Sequence, residues 1–172
     1  MAKVKDIDKG WKRITKDMRE INNKKVNIGV LANSGLASSG TSLVLIASAN
    51  EFGANIPVTD KTKGWFWGQG AHINKPFIKI PARPFMRQTF DQNYSGPVMS
   101  KIFQLRADVI QGVKTVRTAL EELGVYYKGL IQRQFRKGNF TPNSELTKKL
   151  KKSSQPLINT GRLRQSIDFE VK

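Results

Sequence analysis

Apolar residues recur early in the chain at Val4, Ile7, Trp11, Ile14, Met18 and Ile21, stepping by three and four positions. This spacing is one stripe of an amphipathic helix over residues 4–22. Lys5, Lys9, Lys12, Arg13, Lys16 and Arg19 fall off the stripe, so the polar face is basic. Asn22-Asn23 ends the helix, and the period changes at Val26 to Leu31, where initial alternation predicts a strand. A Gly/Ser-rich loop over residues 33–41 follows. Leu43 to Asn50 then reads as a short helix that Thr41 or Ser42 can cap, with Gly53 as a left-handed stop.

From Ile56 to Ile80 the pattern predicts short antiparallel strands. Ile56 to Thr59 leads into a Lys-rich turn over residues 60–64, then an aromatic segment, Trp65-Phe66-Trp67, a turn at Gly68-Gln69-Gly70, and a strand at Phe77 to Ile80. At Ile80-Pro81-Ala82-Arg83-Pro84-Phe85-Met86-Arg87 two prolines fix φ and hold the residues before them extended. The strand must stop, and Pro84 can open the first turn of a new helix. Such a rigid corner packs Phe85 inward, or presents Arg83 or Arg87 to a neighbouring chain, and both can hold together.

Beyond the corner, Met86 to Asn93 reads as a short helix broken at Tyr94-Ser95-Gly96. Pro97 starts a helical region over residues 97–137 that Gly112 interrupts and Thr115 or Thr118 restarts, Thr118-Ala119-Leu120-Glu121 matching a capping box. Val116, Leu120, Leu123, Tyr127, Leu130, Ile131 and Phe135 carry a stripe to Lys137. Gly124 and Gly129 inside it cost up to ~1 kcal/mol each against alanine, which close packing of another helix or chain justifies. A short helix over residues 144–152, a last one capped by Asn159 or Thr160, and an edge strand at Asp168 to Val171 complete the chain. The fold class is therefore α+β: a small antiparallel sheet with a projecting hairpin, packed against long and short amphipathic helices. Residues 1–172 form one domain, divided into a basic N-terminal helix (1–24), a β-hairpin region (56–80), a helical region (97–137) and a basic C-terminal segment (138–172).

Charge changes this picture. The 172 residues hold 30 Lys and Arg against 13 Asp and Glu, a net +17. Such a balance implies a polyanionic neighbour, either nucleic acid or a strongly acidic protein surface. Lys148, Lys149, Lys151 and Lys152 surround Leu150 and repel one another unless solvated or facing an anion, so they are the candidates for contact with DNA or an acidic partner. Trp65 and Trp67 read as core or subunit contact, with base stacking as the alternative. Catalytic material is sparse. Cysteine is absent, His72 stands alone, the Gly/Ser loop lacks a phosphate-cradle signature, and no paired-carboxylate or nucleophile-elbow motif occurs. A non-enzymatic protein without cofactor or metal is expected, and no apolar run reaches the length of a membrane span.

Three stretches together resemble one family. Ala47-Ser48-Ala49-Asn50-Glu51-Phe52-Gly53-Ala54 resembles its "A-x-x-N-E-F-G" helix end, and Ile80-Pro81-Ala82-Arg83-Pro84-Phe85 its "I-P-A-R-P-F" corner. Pro156 to Ile167 resembles its "P-L-I-D-T-G-x-L-x-x-S-I" close, with Asn159 in place of the aspartate. The family is the tailed-bacteriophage neck and tail-completion (head–tail joining) proteins, including virion-morphogenesis and minor-tail relatives. The resemblance implies a structural virion protein, located in the neck or tail top and assembled in the bacterial host cytoplasm. It further implies a homo-oligomeric hexamer or dodecamer ring between portal-side connector proteins and the tail terminator or tube proteins, close to genomic DNA and without a membrane. Arg83, Phe85, Arg87, Trp65, Trp67, Arg162 and Arg164 are the candidates for subunit or partner contact. The alternative expectations are a nucleic-acid-binding protein and a head-morphogenesis factor.

Overall fold

The computed structural model describes residues 10–151 and 154–172. The start of the predicted basic helix and Lys152 lie outside the described residues. In chain order the elements are α1 (Trp11–Asn23), β1 (Val26–Val30), α2 (Leu43–Phe52), β2 (Ala54–Pro57), α3 (Asp60–Gly68), β3 (Phe77–Ile80), α4 (Phe85–Asn93), α5 (Met99–Ile110), α6 (Val116–Lys137), α7 (Glu145–Lys151), α8 (Arg162–Gln165) and β4 (Ile167–Val171). The architecture is α+β, as the periodicity predicts.

β1 and β4 form an antiparallel pair in which Val26 faces Val171 and Val30 faces Ile167, joining the two ends of the described chain. α6 packs across this pair. Its N-terminal cap is Thr115, whose Oγ1 accepts from the Thr118 amide at 3.1 Å. Thr115 is thus the cap, and the capping-box match that starts at Thr118 lies inside the helix. The main core gathers Leu43 and Ala47 of α2, Phe85 of α4, Ile131 and Phe135 of α6, Leu163 of α8 and Ile167 of β4. A second cluster joins Leu105 and Val109 of α5 to Val116 and Ala119 at the other end of α6. α6 therefore holds both cores, which accounts for its length.

The helix glycines have different causes. A Cβ on Gly124 would lie 2.3 Å from Phe169 Cδ2, so the bare backbone admits the β4 ring. At Gly129 a Cβ would meet nothing within 4 Å. Packing therefore justifies Gly124 within the chain and leaves Gly129 without an internal reason.

Four expectations are corrected. The break at Tyr94-Ser95-Gly96 is instead a π-helical turn, Tyr94–Val98, through which α4 runs into α5. Pro97 has no N–H to give the ladder, and a local widening lets the helix pass it. Trp11, placed on the apolar stripe, is 70% exposed, although Ile21 of the same stripe packs on the second cluster. Arg13, placed on the solvated basic face, donates to the Val109 and Ile110 carbonyls at 2.9 and 2.6 Å, satisfying the C-terminus of α5.

The fourth correction concerns the aromatic segment. β2 and β3 do pair antiparallel, Ala54 with Ile80 and Pro57 with Phe77, but Trp65-Phe66-Trp67 belongs to α3 and not to a strand. Thr59 caps α3, its Oγ1 accepting from the Thr62 amide at 3.2 Å, and Asp60 stands in the first turn. These start signals outweigh the β preference of consecutive aromatics. Residues 54–80 are thus an arm, two short strands closed by a helix, and none of them is buried.

Candidate functional site

Two of the sequence motifs meet at the corner. Glu51, at the end of α2, is 4% exposed and accepts from the Met86 and Arg87 amides at 2.9 and 3.0 Å. A buried carboxylate thereby caps the N-terminus of α4, where Pro84 offers no side-chain cap. The Asn50 carbonyl accepts from the Arg83 amide at 2.6 Å. Gly53 has φ 80°, and a Cβ there would lie 3.1 Å from both the Ala82 nitrogen and the Ile80 oxygen. Only glycine fits that conformation and that approach without strain.

The candidate contact residues separate at this corner. Phe85 is fully buried, its ring 4.6 Å from that of Phe135, so it belongs to the core and is not available to another chain. Arg83 is 7% exposed and also turns inward. Its Nε donates to the Thr141 carbonyl at 2.8 Å, and one Nη to the Pro142 carbonyl at 3.3 Å and Asn143 Oδ1 at 3.2 Å. Buried Asn143 donates onward to the Gln155 carbonyl at 3.1 Å, so Arg83 ties the corner to the C-terminal segment. Arg87 is exposed as expected. It lies 5.6 Å above the Phe52 ring and 3.9 Å from Glu51. Along the same face of α4 follow Phe90 and Tyr94, stacked at 4.6 Å and both exposed.

On the arm, Trp65 and Trp67 are 55% and 70% exposed, and Ile56 and Phe77 are exposed with them. Trp65 packs edge-on against Phe66 at 4.8 Å, and Trp67 lies 5.8 Å from His72. The aromatic segment is therefore surface rather than core.

Behind the arm lies a pocket of about 770 Å³, which no sequence pattern announced. Its floor is apolar, with Leu43, Ile46, Leu157 and Leu163, and Ile78 and Ile80 of β3 form one wall. Lys79, Arg83, Lys151 and Arg162 also line it, and among the described residues no carboxylate does. Burial pushes the Arg83 guanidinium below its ordinary value, and burial together with the Arg83 charge lowers the Lys151 ammonium. Leu157 stands at the pocket with φ 62°, a conformation costly for a leucine and held here by its burial.

The described lysines of the cluster have different surroundings. Lys148 pairs with Glu145 at 2.7 Å, Lys149 lines a smaller pocket together with Gln69 and Gly70, and Lys151 lines the large pocket. Arg162 is exposed at the pocket mouth and reaches Ser38 Oγ at 3.3 Å, whereas Arg164 is half-buried and its carbonyl accepts from Gln132. Among the described residues no group of three His, Cys, Asp or Glu is placed to hold a metal, and no helix is long and apolar enough to cross a membrane. Comparison with family models, curated proteins and solved structures finds no match.

Proposed function

We propose that this protein is a structural, non-enzymatic component of a tailed-bacteriophage virion that assembles with copies of itself into a ring in the neck, joining head to tail around the DNA channel. The observation that carries the assembly reading is the arm. A two-stranded ribbon is marginal in water on its own, and this one exposes Ile56, Trp65, Trp67 and Phe77 together. Aromatic and arginine side chains of this kind dominate protein–protein contacts, and the Phe52–Arg87–Phe90–Tyr94 surface at the corner has the same composition. Gly129, open within the chain, is where a neighbouring backbone could approach α6. The neck itself is argued from the resemblance of residues 47–54, 80–85 and 156–167 to the head–tail joining family. The fold gives those stretches a shared physical reason, since the first two hydrogen-bond each other and the third supplies core residues.

The nucleic-acid-binding alternative is weaker. Its aromatic and lysine elements do not line one groove, as a single-strand track requires. The test is disruption of the gene in its phage, followed by negative-stain electron microscopy of the lysate. Filled heads beside separate full-length tails are expected. Intact virions or uniformly empty heads refute the joining role.

A further inference from the structure

The pocket behind the arm has the chemistry of a peptide-docking cleft. β3 is its wall, and none of the β2 residues Ala54–Pro57 line it, so the cleft lies along the edge of β3 that faces away from β2. Pro57 has no N–H, so the Pro57–Phe77 pair cannot exchange backbone hydrogen bonds. The alternation of an antiparallel ladder then makes Ile56–Ile78 and Ala54–Ile80 the bonded pairs. The Val58 amide bond to the Pro76 carbonyl at 2.8 Å keeps that phase. The N–H and C=O of Lys79 consequently point toward the cleft, as a free strand edge.

Among the described residues no carboxylate lines that edge, where Lys151 Nζ donates to the Gln155 carbonyl at 3.4 Å and Arg162 to Ser38 Oγ at 3.3 Å. Arg83 spends its bonds on two carbonyls and an amide oxygen, and among the described residues no carboxylate pairs with it. Among the described residues no buried side-chain nitrogen or oxygen lacks a partner, so the remaining Nη of Arg83 keeps some accessible surface, and Arg83 lines the pocket. Lys151 and Arg162 stand over the same cleft. A second copy of this chain is a poor source of the missing anions. Among its described carboxylates all but Glu20 and Asp91 are already within ion-pair distance of a cation of their own chain.

We infer that the cleft binds an extended acidic segment of a different protein, which adds as a strand to the free edge of β3, places apolar side chains on the Leu43–Ile46–Leu163 floor and sets a carboxylate against Arg83, Lys151 and Arg162. Strand addition supplies main-chain hydrogen bonds, and the alternating side-chain pockets supply selectivity. The site is built from one chain and does not depend on ring formation or on the neck assignment.

The test is fluorescence anisotropy of the full-length protein at physiological ionic strength, with a short fluorescein-labelled peptide alternating isoleucine and glutamate. A peptide with proline for each isoleucine keeps the charge and cannot pair as a strand. One with glutamine for each glutamate keeps the strand and loses the charge. Each control is expected to bind about tenfold more weakly or worse. Lys151→Gln and Arg162→Gln, neither in the core, should each weaken the first peptide by roughly fivefold. Lys79→Pro removes the outward N–H without breaking a bonded pair, and should weaken it further than Lys79→Gln does. Equal binding of the proline control, or indifference to all four variants, overturns the proposal and leaves only non-specific attraction to a basic protein. Displacement of the peptide from the cleft by dodecanoate or by a DNA duplex, with the same dependence on Lys151 and Arg162, overturns it in favour of an amphiphile or a phosphate backbone.

Discussion

Alanine at Gly124 and alanine at Gly129 perturb the same helix with opposite expected sign. Each substitution recovers up to ~1 kcal/mol of helix propensity. At Gly129 nothing opposes the gain, because the new methyl meets no atom within 4 Å. At Gly124 it would sit 2.3 Å from Phe169 Cδ2 and 2.6 Å from Cγ, where carbons in contact want about 3.5–4.0 Å. The ring or the helix must move by more than ~1 Å, and overpacking of this kind costs about 1–3 kcal/mol. Phe169 cannot retreat freely, since β4 holds it opposite Ile28 in the ladder. With the full propensity gain, the balance at Gly124→Ala is a loss of up to ~2 kcal/mol, against a gain of up to ~1 kcal/mol at Gly129→Ala. Urea unfolding measures both, and thermal midpoints should differ in the same order by about 2–4 °C per kcal/mol. Phe169→Ala in the Gly124→Ala background should abolish the clash, giving a favourable coupling energy in the double-mutant cycle. Two variants of equal stability, or a cycle without coupling, would refute the packing assignment.

Other consequences can be measured with the same equipment. Glu51→Ala leaves the Met86 and Arg87 amides without an acceptor at a site 4% exposed, and should destabilise by about 1–3 kcal/mol; Glu51→Gln, which keeps an acceptor oxygen, should lose less. Hydrogen bonds from Lys128 and the Phe169 amide hold the Asp168 carboxyl below its usual range, and those from Lys101 and Lys114 do the same to Glu122. A carboxyl lowered in the folded state contributes stability above its unfolded pKa of about 4 and loses it as pH falls through the folded value. The urea midpoint should accordingly fall on acidification below that range, and less steeply in Lys128→Gln. Trp65→Ser with Trp67→Ser changes exposed positions, so monomer stability should hold within ~0.5 kcal/mol while the assembled species seen by light scattering diminishes. Unchanged assembly would remove the arm from the interface.

Periodicity was a good guide where one helix face or one strand pair buries its apolar side. The α6 stripe, the β1 and β4 strands and the α2 helix all lie where spacing places them. It failed where local hydrogen bonds decide. Thr59 and Asp60 start a helix through residues of β preference, and Pro97 sits inside a π turn that carries α4 into α5 instead of starting a separate helix after a break. The site was harder to read. Arginines at a rigid corner look alike in sequence, yet Arg83 is drawn into the C-terminal segment by carbonyls 58 and 59 residues away, and Arg87 stays out over Phe52. Glu51 was legible only as part of a motif, because its role depends on α2 and α4 meeting end to end. The pocket needs β3, α2, α7 and residues 156–163 at once, and no single stretch carries a signal for it.

The placement of charge bears on what the net +17 is for. A surface that tracks a nucleic-acid backbone sets many cations side by side, and its affinity falls steeply with salt as counterions are released. Here several cations are engaged within the chain: Arg13 on α5 carbonyls, Lys148 on Glu145 and Lys114 and Lys101 on Glu122, while Arg83 and Lys151 line a cleft floored with leucine and isoleucine. An amphipathic cleft of this kind favours a ligand that carries a few carboxylates on an apolar frame over one that presents a line of phosphates. A few desolvated ion pairs beside an apolar floor are screened far less than exposed ones. Acidic-peptide binding should therefore weaken only modestly with ionic strength while any binding of duplex DNA collapses. That difference in slope separates a protein partner from a nucleic acid as the reason this chain is so basic.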